Sequence, residues 1–121
     1  MANERHVLLV EDDPDIRSAV AEIAVDAGYR VTEASDGVAA LEVLRGGLRP
    51  NVILLDLTMP RMDGVAFLAS LREEHAVEAP IVLLTAAAEL PPGVHATATI
   101  FKPFTMEELE RVLDEVCAPP R

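Results

Sequence analysis

The chain has little that stacks, little that cross-links and little that is basic. Its 121 residues include no Trp, one Tyr, three Phe and one Cys, and 10 Lys+Arg stand against 21 Asp+Glu for a formal net charge of −11. Few aromatics leave few platforms for stacked bases, and an acidic surface repels phosphate backbones and anionic lipid heads. The expectation is no direct nucleic-acid binding and no membrane attachment. A lone Cys117 cannot close an internal disulfide, which points to a reducing, cytoplasmic setting. The apolar run near the start, Val7 to Val10, is too short for a signal-peptide core or a membrane span. No internal repeat is present, and no P-loop G-x-x-x-x-G-K-[ST], so a nucleotide is not the evident phosphoryl donor.

What is present is apolar and ordered in its pattern. Half of the residues are hydrophobic, and a chain of this length folds as one domain burying roughly two-thirds of its surface. Short apolar runs at His6 to Val10, Asn51 to Leu55 and Pro80 to Leu84 lack polar alternation, as in parallel strands covered on both faces. A weaker run spans Thr97 to Phe101, and the more polar Arg30 to Ala34 predicts an edge strand. Between them lie segments of helical spacing. Pro14 to Ala27 aligns Ile16, Val20, Ile23 and Ala27, with Asp13 as cap and Gly28 as stop. Asp36 to Arg45 uses Val38, Leu41 and Leu44 and stops at Gly46-Gly47, and Gly64 to Glu74 aligns Val65, Leu68 and Leu71. Thr105-Met106-Glu107-Glu108 is a capping box, followed by Leu109, Val112, Leu113 and Val116 at helical spacing.

Strand-helix alternation along the whole chain predicts an α/β fold, a doubly wound five-stranded parallel sheet joined by right-handed crossovers. One helix is interrupted. Pro91-Pro92-Gly93 falls where a fourth helix belongs, so that helix is expected to be stunted or absent.

In an open parallel sheet, ligands bind beyond the carboxyl ends of the strands. Those ends carry Glu11-Asp12-Asp13, Asp56, Thr85 and Lys102. Any one of them alone reads as an ordinary loop residue, and Asp13 as a helix cap; four strand ends agreeing point to a site. Clustered carboxylates resist ionising unless a cation neutralises them, and Mg²⁺ suits hard oxygen ligands and a phosphate oxygen. Lys102 is the chain's single lysine, the other nine cations being Arg. A carboxylate, a divalent cation, a hydroxyl and an ammonium together suit phosphoryl transfer to an acyl phosphate.

VLLVEDDPDIR, LLDLTMPRMDG, LLTA and FKPF, in this order and spacing, resemble the receiver domain of two-component response regulators over essentially the whole chain. The resemblance implies a flavodoxin-like sheet of order 2-1-3-4-5, a single receiver domain over 1–121 with residues 118–121 as a tail, and no output domain. It implies that Asp56 accepts a phosphoryl group from a histidine kinase or histidine phosphotransfer protein. Asp12 and Asp56 would bind Mg²⁺ directly, Glu11 through water, and the Thr58 carbonyl would complete the metal site. Thr85 matches the switch hydroxyl and Lys102 the paired lysine, with Lys102-Pro103 as a cis peptide. The output would be altered contact with a downstream protein target, in a module that catalyses only its own phosphorylation and autodephosphorylation.

Two departures from the family pattern stand out. Thr99 occupies the position where the family usually carries Tyr or Phe, so no aromatic there is available to move with Thr85. Thr85 and Lys102 are 102 − 85 = 17 positions apart, a spacing shortened in the fourth-helix region. These departures predict that phosphorylation reorganises the loop Ala86 to Ala98. Small residues at Thr58 and Ala87 predict an acyl phosphate open to water. Two other readings compete: a phosphorylation-independent pseudo-receiver that binds proteins, and a Mg²⁺-dependent phosphatase of the haloacid dehalogenase type. The phosphatase reading expects a second Asp where Thr58 stands.

Overall fold

The computed structural model describes residues 5–56, 66, 67, 69, 70, 79–86 and 96–117. In chain order these form β1 (Arg5–Val10), α1 (Pro14–Asp26), β2 (Tyr29–Ala34), α2 (Gly37–Arg45), β3 (Val52–Asp56), β4 (Ile81–Thr85), β5 (Ala98–Phe101) and α3 (Met106–Val116). Residues 66, 67, 69 and 70, between β3 and β4, also have helical backbone. The five strands form one sheet of order β2-β1-β3-β4-β5, and every pairing is parallel. This is the expected doubly wound order, with the polar strand β2 at one edge. The interrupted fourth helix, and most of the loop expected to reorganise, fall in 87–95, outside the described residues.

Apart from their polar ends, the central strands are apolar, from Val7 to Val10, Val52 to Leu55 and Ile81 to Leu84, because both faces of the sheet are covered. Val7, Leu9, Val52, Leu54, Val82 and Leu84 are buried with Val20, Ala21 and Ala24 of α1 and Leu109, Val112 and Leu113 of α3. The alternate residues Leu8, Val10, Ile53, Leu55 and Leu83 are buried with Ala40, Leu41 and Leu44 of α2 and with Phe67. The strand period of two therefore sorts side chains into two separate cores.

The expected helix faces need adjustment. Ile16 and Val38 are exposed, so the α1 stripe is rotated onto Val20, Ala21 and Ala24, and α2 buries Ala40 in place of Val38. In both helices alanines take buried positions against the sheet, which an apolarity pattern weighted to large residues overlooks. Val65, Leu68 and Leu71 lie outside the described residues; Phe67, fully buried, is the side chain observed packing from that segment.

Helix ends follow their capping chemistry. Asp13 Oδ1 accepts from the Asp15 and Ile16 amides at 2.9 and 3.2 Å, and Asp36 Oδ1 accepts from the Ala39 amide at 2.8 Å. The Thr105 box is reciprocal: Thr105 Oγ1 accepts from the Glu108 amide and Glu108 Oε1 from the Thr105 amide, both at 3.0 Å. Gly28 and Gly47 leave α1 and α2 with φ of 100° and 111°, a region that residues with a Cβ rarely adopt. These caps fix where each helix begins, and so fix the strand-end loops that carry polar side chains.

Candidate functional site

The sheet order sets which strand ends meet. β1 and β3 are neighbours, and the chain leaves them for opposite sides of the sheet, so a crevice opens at their carboxyl ends. Glu11 follows β1 directly and its amide donates to the Ala34 carbonyl at 3.1 Å, extending the strand by one residue. Asp56 is the last residue of β3, and Thr85 the last of β4. Lys102 follows β5, and its amide donates to the Thr85 carbonyl at 2.8 Å. Lys102-Pro103 is a cis peptide, as the resemblance implies.

The side chains converge. One carboxylate oxygen from each of Glu11, Asp12 and Asp56 lies within 4.8 Å of the others. Lys102 Nζ stands 3.4 Å from Asp56 Oδ2 and 3.6 Å from Glu11 Oε1. Glu11, Asp56 and Thr85 are buried, while Asp12 and Lys102 are half-buried. Thr58, the remaining expected ligand, lies outside the described residues, as does Ala87. Thr99 sits in β5 opposite Leu83.

Three carboxylates face one ammonium, and the imbalance falls on Glu11. Its Oε2 accepts from the Asp13 amide at 3.2 Å, but its buried Oε1 has no hydrogen-bond partner among the described residues. Burial foremost, then the Asp56 carboxyl beside it, push the Glu11 carboxyl up to about 7 from an ordinary value of 4.5, against the pull of the Asp13 amide and Lys102. An orphaned, buried, hard oxygen among converging carboxylates is what a small divalent cation satisfies. The donor set fits Mg²⁺.

An acid whose folded value lies above its unfolded one favours the fold below about 4.5, and that contribution is lost as pH rises through about 7. In EDTA, urea unfolding at pH 5.5 and 7.5 is expected to show wild type losing on the order of 2 kcal/mol more than Glu11→Gln over that interval. Equal losses would contradict the assignment.

Arg17 was not singled out by sequence reasoning, yet its side chain reaches the same loop. Arg17 Nη1 donates to the Glu11 carbonyl at 2.9 Å and Nε to Glu33 Oε1 at 3.2 Å. The i,i+6 reach from β1's end into α1 depends on the loop's path, which spacing alone does not reveal. Cys117 is buried, in keeping with an apolar contact. His6 lies outside the site, with Nε2 at 2.6 Å from Thr32 Oγ1.

Comparison with known proteins identifies the family of the chain. A family model described as the response regulator receiver domain matches residues 7–114. The transcriptional regulatory protein CseB of Streptomyces avermitilis is 40% identical over 89 residues, covering 74% of this chain and 37% of that protein. The chain thus spans little more than a third of that relative's length. Among solved structures, the chemotaxis response regulator CheY4 of Vibrio cholerae aligns with a TM-score of 0.84 at 34% identity, covering 94% of this chain and 99% of the other. The response regulator TrrA of Thermotoga maritima, solved in complex with Mg²⁺-BeF, aligns with a TM-score of 0.81 at 27% identity, covering 93% and 98%. The sheet order, the converging strand-end side chains and the match over 7–114 together place this chain in the family of response regulator receiver domains.

Proposed function

We propose that the chain is a phosphoacceptor module of a two-component system or phosphorelay, with Asp56 receiving the phosphoryl group. The observation that carries this reading is the Asp56 carboxylate, buried at a strand end with the Lys102 ammonium at 3.4 Å and two further carboxylates close by. A carboxylate oxygen of Asp56 forms the new O–P bond. The P–N bond to a histidine kinase or histidine phosphotransfer protein breaks, and the imidazole leaves with the electron pair and takes up a proton. Lys102 pairs with a phosphoryl oxygen, and the Thr85 hydroxyl donates a hydrogen bond to another. Asp12, Asp56, Glu11 through water and the Thr58 carbonyl would hold Mg²⁺, which when bound offsets the charge of the phosphoryl oxygens.

The combination of Asp56, Thr85 and Lys102 favours this reading over a phosphorylation-independent binding module. The acidic chain favours a downstream protein that offers basic or apolar contacts, without direct nucleic-acid or membrane binding. Among the described residues no helix is long and apolar enough to cross a membrane. Acetyl phosphate supplies the test. With Mg²⁺, intact mass spectrometry is expected to show one added phosphoryl group, and with EDTA none. Absence of the adduct in Mg²⁺ would support the binding-module reading, and turnover of many equivalents of phosphate ester would support a phosphatase.

A further inference from the structure

We infer that Arg17 is a positioning residue for the acidic pair, holding the Glu11-Asp12 peptide so that both carboxylates face one cation. This rests on the proposed Mg²⁺ site. The parallel register of β1 and β2 ends where Val10 pairs with Ala34, so the Glu11 carbonyl lies one residue beyond the ladder. A carbonyl in that place needs a donor. Arg17 supplies one from the first turns of α1, through Nη1 at 2.9 Å.

The guanidinium is itself anchored. Arg17 Nε donates to Glu33 Oε1 at 3.2 Å, from a side chain 22% exposed to one 45% exposed. An ion pair this open contributes little stability of its own. Its geometric effect is larger: Glu33, near the end of β2, fixes one edge of a rigid planar group, and the other edge grips the carbonyl. The Arg17 amide also donates to the Asp13 carbonyl at 2.8 Å, so the backbone of Arg17 is fixed by the same loop. Strand, loop and helix are thereby tied around a single peptide plane. That plane sets the backbone direction of Asp12, and hence where its carboxylate sits relative to Glu11 and Asp56. Groups that orient metal ligands in this way matter about as much as many ligands do.

Electrostatics alone predicts the opposite sign, which makes the inference separable. Removing a cation near three carboxylates should draw Mg²⁺ in more tightly. Positioning predicts that Arg17→Met binds Mg²⁺ about tenfold more weakly, and that Arg17→Lys, which keeps a donor and the charge, recovers part of the loss. Titration calorimetry of the full chain with MgCl₂ alone reads this without any phosphoryl donor, and thermal melts confirm folding. Unchanged or tighter binding in folded Arg17→Met overturns the inference. If that variant does not fold, Glu33→Gln carries the test: it frees the guanidinium from its anchor while leaving the carbonyl donor, and a severalfold loss of affinity is expected, with unchanged affinity overturning the inference. Failure of wild type to bind Mg²⁺ would instead overturn the metal-site reading, and this inference with it.

Discussion

Replacing Asp56 with Asn is expected to abolish phosphorylation and, in the metal-free protein, to strengthen the fold. The first effect is chemical, since an amide oxygen is too weak a nucleophile to displace a phosphoryl leaving group. The second follows from charge. Two buried carboxylates, Glu11 and Asp56, share one ammonium, so removing one leaves a balanced Glu11–Lys102 pair instead of a stranded charge. Breaking a buried pair ordinarily destabilises, but here the carboxylates outnumber the ammonium. In EDTA at pH 8, urea denaturation is expected to show Asp56→Asn more stable than wild type by about 1–2 kcal/mol. The gain should shrink when saturating Mg²⁺ is added, because the cation relieves the same repulsion in wild type. A variant that is less stable in EDTA, or that still gains a phosphoryl group, would contradict the assignment.

Lys102→Met is expected to separate binding from chemistry. The ammonium stands within 3.6 Å of two carboxylates, so it competes with a divalent cation for them. Its removal should tighten Mg²⁺ binding while slowing phosphoryl acceptance from acetyl phosphate by about 10²–10³-fold, the usual cost of losing one preorganised partner for developing charge. Metal-free Lys102→Met should also be less stable than wild type at pH 8, since Glu11 and Asp56 then face each other with no cation between them. Calorimetry with MgCl₂ and the rate of adduct formation by mass spectrometry check the two halves independently. A variant that binds Mg²⁺ more weakly and accepts phosphoryl at the wild-type rate would remove Lys102 from the site's chemistry.

Much of this architecture is legible in the sequence because parallel strands buried on both faces are apolar throughout. Val52 to Leu55 and Val82 to Leu84 announce themselves as such, and the polar residue ending each run marks the sheet's carboxyl edge. Caps at Asp13 and Thr105 are equally local signals. The helix faces were harder to read. Ala21, Ala24 and Ala40 carry little hydrophobic weight individually, yet they are the buried positions, while the larger Ile16 and Val38 are exposed. Phe67 lies outside the stripe drawn through Val65, Leu68 and Leu71. The contact of Arg17 with the Glu11 carbonyl depends on where β2 stops relative to β1, a register that appears only once the strands are paired.

The ammonium held between Glu11 and Asp56 has a practical consequence. Lys102 is the sole lysine, so an amine-directed acylating reagent has one side-chain target in this chain. Glu11 and Asp56 hold that nitrogen at 3.6 and 3.4 Å, so a reagent must displace those contacts to reach it. Its labelling rate, read against that of the α-amino group, becomes a built-in reporter of what occupies the pocket.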